Sequence, residues 1–182
     1  ADISVAEDEN FLRLLRDSGC AMLLIGFESL TESNLRTIDR GGFKLKRLKN
    51  LTSYINKIQS FGIGIVGAFI LGLDNDDLSI FDKTTEFIIK SHIFAAQITV
   101  LTPLPGTRLR CRVEGENRLL NHNWDHYTFY DVNFLPKKMS PQQLQEGLLK
   151  VHKRIHDEKV LVGQAKYFKD IYNKIKTKDG LS

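Results

Sequence analysis

Apolar strand signals alternate with helix signals along the first 109 residues, and this alternation limits the fold more than any other feature. The run Met22-Leu23-Leu24-Ile25 has no polar interruption, the pattern of a strand covered on both faces. Residues 63–71 and 95–101 repeat it, and residues 2–5 read as a further short strand. Helical stretches separate them. Asp8 is placed to cap a helix over 9–17, with Phe11, Leu12, Leu14 and Leu15 as its apolar positions and Gly19 as its stop. Thr31 is placed to cap a helix over 32–39 that Gly41-Gly42 breaks. A longer helix over 45–60 carries Leu48, Leu51, Ile55 and Ile58 on one stripe. Asp77 or Ser79 caps a fourth, over 78–91. Strands joined by helical crossovers run parallel. The expected fold is α/β, with about four parallel βα units: a doubly wound sheet or a partial TIM-like (β/α) barrel, since four units are too few to close an eight-fold one.

Ligands bind at the carboxyl ends of parallel strands. The second strand ends there in Gly26-Phe27-Glu28-Ser29. Gly26 leaves room for a close approach. The Glu28 carboxylate is suited to accept from a sugar hydroxyl or an ammonium group, and is the leading site candidate. Ser29 offers a hydroxyl to a ligand or to a turn. Gly72 follows the third strand and either admits a close backbone approach or simply turns the chain. Asp74, in the acidic run Asp74-Asn75-Asp76-Asp77, faces a substrate or caps a helix.

The character changes past residue 110, which divides the chain into 1–110 and an extension over 111–182. Residues 114–139 are polar and aromatic, with Trp124, His126, Tyr127, Phe129, Tyr130 and Phe134, and suit a lid or a cover for the open end of a sheet. Ser140-Pro141 opens a helix running to about Glu158, and a basic amphipathic helix follows over 164–176.

The net charge of +4 is concentrated around residues 44–49 and 166–178, where lysines alternate with apolar residues as on solvated helix faces. Nucleic acid is therefore not the expected partner. No stretch is apolar for long enough to span a bilayer. Cys20 and Cys111 form neither a disulfide framework nor a metal motif, and Cys20 reads as a small buried hydrophobe. His122 and His126 lack the further ligands of a metal site. A reducing cytoplasm is the expected compartment.

Three stretches together resemble the radical S-adenosylmethionine (SAM) enzymes. Ile25-Gly26-Phe27-Glu28-Ser29-Leu30 with Ser33-Asn34-Leu35 and Asp39-Arg40-Gly41 is similar to their fourth-strand region. Phe69-Ile70-Leu71-Gly72-Leu73 with the acidic run is similar to their fifth-strand signature, Asp76 standing where a Glu is usual. Thr102-Pro103-Leu104-Pro105-Gly106-Thr107-Arg108-Leu109 is similar to their sixth-strand exit. The joint pattern resembles the cobalamin-binding, hopanoid methylase-like branch.

The resemblance implies SAM contacts at Ser4, Glu28, Ser29, Gly72, Thr102 and Leu104, with Asp74 towards a small-molecule substrate. It implies SAM, a [4Fe–4S] cluster and cobalamin as cofactors of a methyltransferase or related oxidoreductase. The family's C-x3-C-x2-C is absent, so cluster and cobalamin ligands are expected outside this sequence. The chain begins in a strand signal and without Met, as expected of the carboxyl-terminal half of a longer enzyme that lacks turnover alone. Its uncovered sheet is expected to be hidden by a homodimer or by its own extension. Two rivals are an α/β binding module taking RNA on its basic helices, and a different α/β enzyme. The second lacks a P-loop and a G-x-S-x-G elbow.

Overall fold

Strands β1 (Met22–Glu28), β2 (Gly64–Leu71) and β3 (Ala95–Val100) lie side by side in that order, and both pairs are parallel. The computed structural model describes residues 1–39 and 41–178, so Arg40 of the motif above lies outside the described residues.

The sheet has three strands among the described residues, where the sequence reading had four. The strand expected over 2–5 is instead a 3-10 turn, Ile3–Glu7. Asp2 is the physical reason: its carboxylate accepts from the Ser4 N–H at 2.9 Å, a capping bond that starts a helical turn. Ser4 therefore sits in a turn and not at a strand end. One strand-like contact remains, from the Ala1 nitrogen to Leu24 O at 2.6 Å.

Helix α1 (Glu9–Asp17) precedes β1, with Asp8 Oδ1 accepting from Phe11 N–H at 2.9 Å. The crossover to β2 holds α2 (Glu32–Ile38), α3 (Phe43–Arg47) and α4 (Leu51–Ser60). A 3-10 turn at Leu48–Asn50 interrupts the single helix expected over 45–60. Helix α5 (Ser79–Lys90) joins β2 to β3.

Register and burial together distinguish the two faces of the sheet. Ile25, Phe27, Ile65, Phe69, Leu71, Ile98 and Val100 are buried beneath the helices. The Phe27 and Phe69 rings stack at 5.1 Å there. The other face carries Leu24, Val66 and Ala95 at one level, Gly26, Ala68 and Gln97 at the next, then Ile70 and Thr99. It is uncovered enough for Leu24 to be 53% exposed. Strands covered on both faces were expected from their unbroken apolar runs; here one face is open.

The extension folds back on the sheet. Helix α6 (Arg108–Gly115), which periodicity did not show, starts where the Thr107 hydroxyl accepts from Arg110 N–H at 3.2 Å. Helix α7 (Pro141–Ile155) opens with a capping box between Ser140 and Gln143. Gly147 lets it press on Phe81 of α5, since a Cβ there would overlap the ring. Helix α8 (Glu158–Lys178) starts six residues earlier than the periodicity showed.

Two elements of the extension close the outer edge of β3. Val100 N–H donates to Phe129 O at 2.8 Å, and the His152 imidazole meets Ile98 O at 3.3 Å. At the amino ends of the strands, buried Gln59 donates to Ser91 O and His92 O and accepts from the Tyr167 hydroxyl of α8 at 2.9 Å. No helix among the described residues is long and apolar enough to cross a membrane.

Candidate functional site

The carboxyl ends of all three strands meet at one cavity of about 380 Å³. Ile38, Ile70, Leu73 and Leu101 form its apolar wall, and Glu28, Asp39 and Lys44 its charged one. A smaller groove of about 260 Å³ lies between α4 and α8, away from these strand ends. The larger cavity is the better candidate because it stands where parallel sheets present ligands.

Glu28 reaches the cavity through unusual backbone. The β1–β2 register slips between Gly26 and Glu28, and Glu28 has φ 63°, a left-handed conformation uncommon for a non-glycine residue. Ser29 N–H closes a tight turn onto Phe27 O at 2.8 Å. The bulge sends the Glu28 side chain back over Gly26, where a Cβ would overlap Glu28 Oε1. The room expected at Gly26 is thus filled by the chain's own carboxylate. Strain at such a position is found where the surroundings hold it for a purpose.

Lys44, at the start of α3, completes the pair. Its ammonium donates to Glu28 Oε1 at 3.1 Å and also to Gly26 O. Asp39 orients α3 by accepting from Lys44 N–H at 2.7 Å and Leu45 N–H at 3.0 Å. Burial works to raise the Asp39 carboxyl, but the N–H groups of Leu45, Lys44 and Phe43 outweigh it and hold the group below its ordinary value. Two carboxylates and one ammonium face an apolar wall, a set able to bind a ligand bearing hydroxyls or a cation together with an apolar ring.

The other residues singled out from sequence are engaged within the chain. Ser29 is buried, its hydroxyl accepting from Thr31 N–H at 3.2 Å and from Asn34 Nδ2 at 3.4 Å. Gly72 has φ 88°, its N–H donates to Asp76, and a Cβ on it would come within 2.6 Å of Leu144. Its freedom thus serves the packing of α7. Asp74 is surrounded by Arg118 at 3.0 Å, Arg112 at 3.2 Å and Lys137 at 3.5 Å, which tie the β2 exit to the extension. The Thr102 hydroxyl donates to Val100 O at 2.9 Å, and Leu104 N–H donates to Thr102 O. Ser4 belongs to the amino-terminal turn.

Asp76 has the most constrained position. It is 2% exposed, and its Oδ2 accepts from the N–H groups of Gly72 and Leu73, each at 3.0 Å. Asn34 Nδ2 donates to its Oδ1 at 2.6 Å. Burial pushes its carboxyl up to about 6, against the pull of these donors. Asp76 shapes the turn that presents Leu73 to the cavity.

Sequence reasoning found Glu28 but missed Asp39 and Lys44. Lys44 was counted among solvated lysines. The available signal was an Asp followed by Gly41-Gly42 just before a new helical stretch, a capping arrangement that fixes the first side chains of that helix. Cys20 and Cys111 are separate free thiols, and no group of three metal-ligating side chains occurs among the described residues.

No family model matches the chain. It is similar to three curated methyltransferases. It is 33% identical over 139 residues to the bacteriochlorophyllide d C-12(1)-methyltransferase of Chlorobaculum tepidum, covering 76% of this chain and 29% of that protein. It is 24% identical over 165 residues to the bacteriochlorophyllide d C-8(2)-methyltransferase of the same organism, covering 91% and 36%. It is 27% identical over 121 residues to the hopanoid C-2 methylase of Rhodopseudomonas palustris, covering 66% and 22%. The chain spans about a third of the length of these relatives or less.

Proposed function

We propose that the chain is the carboxyl-terminal part of a radical SAM methyltransferase barrel, and that its cavity holds part of SAM. The observation that carries this reading is the Glu28 carboxylate, folded back over Gly26 into a cavity at the strand ends. Glu28 accepts hydrogen bonds from the ligand's hydroxyl or ammonium groups. Ile70, Leu73 and Leu101 offer the apolar wall that an adenine ring needs. Lys44 keeps Glu28 in place from the other side. The likeness to bacteriochlorophyllide and hopanoid methyltransferases supports methyl transfer to a large apolar small molecule.

SAM, when bound, supplies the transferable one-carbon unit and the radical chemistry of the parent enzyme. Residues of this chain bind and orient it. The cysteines here do not fit an iron–sulfur cluster, so in this reading the cluster and cobalamin are held outside this sequence, in an amino-terminal half. The three strands are then one side of a TIM-like barrel, with residues 1–110 in the barrel and 111–182 covering it. In this reading the compartment is cytoplasmic, and the open sheet face is closed by the other half or by a second copy of the chain.

Calorimetric titration of SAM into the full-length enzyme with its cluster reconstituted, and into its Glu28→Gln variant, tests this. Glu28→Gln keeps the size of the side chain and one acceptor, so packing does not confound the result. A hydrogen bond to a charged group contributes about 1.5–3 kcal/mol, so affinity is expected to fall about tenfold or more with the fold intact. Equal affinity in both would remove Glu28 from the site. No SAM binding to either would count against the cavity assignment.

A further inference from the structure

The two basic clusters of the sequence end differently in the fold. Over 44–49, Lys44 pairs with Glu28 and Arg47 with Glu7. Helix α8 has six lysines against two acids, Glu158 and Asp170. It therefore carries the whole of the chain's net charge of +4, and basic and acidic residues balance elsewhere. Lys159, Lys166, Lys169, Lys174 and Lys176 are exposed, and among the described residues none of their ammonium groups has a partner.

Lys159, Val162, Lys166, Lys169, Asn173 and Lys176 follow one another at spacings of three or four residues, all exposed, which sets them in one stripe along about 25 Å of helix. Leu161, 45% exposed, and Val162, 61%, add aliphatic surface at its start. Lys166 and Lys169 stand one turn apart, a like-charge pair that weakens a helix unless an anion lies across it. The opposite side of α8 is already taken. Phe168 is buried edge-on to Phe94 at 5.2 Å, Gln164 Nε2 donates to Ile93 O at 2.7 Å, and the Tyr172 hydroxyl donates to Gly62 O at 3.1 Å. The stripe is thus held facing solvent on a helix that needs no further ordering to meet a partner.

We propose that this stripe docks the protein on an anionic lipid surface, with the lysines on the headgroups and Leu161 and Val162 at the acyl boundary. Lysines are drawn to such a surface by an attraction that fades within a Debye length. Aliphatic side chains set among lysines suit the boundary between headgroups and acyl chains. RNA fits less well, because the stripe offers neither an arginine nor an aromatic ring on which a base could stack. The apolar side of α8 is packed into the core, so the contact is peripheral and reversible, with no segment inserted. Helix α8 lies at the amino ends of the strands, and docking leaves the cavity at their carboxyl ends open. Docking of this kind does not depend on what the cavity binds.

Sedimentation of the full-length enzyme with lipid vesicles tests this. Vesicles of phosphatidylcholine mixed with phosphatidylglycerol are expected to carry the protein down at low salt and to release it as salt is raised, while pure phosphatidylcholine leaves it in solution. Lys166→Gln with Lys169→Gln should lower the affinity about tenfold or more, since each lysine near such a surface is worth about fivefold. Both side chains are exposed and without partners, so the unfolding midpoint should hold. Lys46→Gln with Lys49→Gln removes the same charge from the other cluster and should change the affinity about twofold or less. Polyuridylate, the RNA probe, should displace little of the protein from the vesicles. No sedimentation with the mixed vesicles, equal sedimentation with pure phosphatidylcholine, unchanged affinity in the α8 variant, equal loss in both double variants or displacement by polyuridylate would each overturn the lipid assignment. SAM affinity should be the same in the α8 variant as in wild type, which keeps a failure of the docking surface apart from a failure of the cavity reading.

Discussion

Asn34 and Asp76, 42 residues apart, are joined by a 2.6 Å hydrogen bond from Asn34 Nδ2 to Asp76 Oδ1. Asn34 belongs to α2 after β1, and Asp76 to the turn after β2. Asn34 Oδ1 in turn accepts from Asn75 N–H at 3.2 Å. The two exits that build the cavity are therefore held to each other by side chains and not by the sheet alone.

Asp76→Asn should destabilise the fold. The two carboxylate oxygens accept from three donors, and an asparagine has one acceptor oxygen, so at least one buried donor must face an N–H. An unsatisfied buried group costs about 1–3 kcal/mol. Urea unfolding at pH 4.5 measures the loss, because above about pH 6 relief of the buried charge offsets it, and a variant as stable as wild type at pH 4.5 would refute the assigned role.

Asp76 also predicts a pH dependence of unusual sign. Its carboxyl is raised from 3.8 to about 6 in the folded chain, so between those values the folded state binds the proton more tightly than the unfolded one. Stability from this group is fully present below the lower value and is lost as pH rises through about 6. At roughly 1.4 kcal/mol per unit, the change is of order 2–3 kcal/mol. His92 acts in the opposite sense, because burial holds it below its ordinary value. The difference between wild type and Asp76→Asn, followed by urea unfolding from pH 4.5 to 7, isolates the Asp76 contribution. A flat difference would contradict it.

Gly26→Ala should separate binding from folding. The added methyl would overlap Glu28 Oε1 and stand 3.2 Å from Lys44 Nζ, both far ends of flexible side chains that can move aside. Thermal midpoint is expected to change little, while SAM affinity falls as far as in Glu28→Gln. An unaltered SAM titration would show that the folded-back position of Glu28 is irrelevant to binding.

Gly72→Ala should do the opposite. It meets Leu144 at 2.6 Å and places a side chain at φ 88°. The strain alone is worth about 1–3 kcal/mol. Denaturant melts should show that loss, and an undiminished midpoint would mean that α7 can shift without cost.

Gln59→Leu should loosen α8. The amide serves Ser91 O, His92 O and the Tyr167 hydroxyl, and an isosteric apolar side chain leaves all three without their partner. Limited proteolysis should cut within α8 faster than in wild type, and equal rates would show that other contacts suffice.

Much of this architecture was legible in the sequence, for reasons particular to certain residues. The unbroken apolar runs at 22–25 and 63–71 located β1 and β2, and the cap at Ser140 located α7. The strand expected over 2–5 failed because a single Asp2 side chain redirected the backbone, a local bond that overrides β propensity. The long helix over 45–60 failed because periodicity continues across Leu48–Asn50 while the hydrogen bonding changes there. At the site, the position of Glu28 was readable, but its aim was not. That aim depends on a register slip and on Lys44 arriving from the next helix, and neither leaves a mark on local composition.

The closed outer edge of β3 sets a limit on growth. Phe129 and His152 occupy the groups at Val100 and Ile98 that another strand would have used. Addition of a strand is left to the β1 side, so two such sheets joined edge to edge would have no further edge to offer. The architecture acts as its own chain terminator, allowing pairing while blocking the open-ended stacking that turns exposed sheets into fibrils.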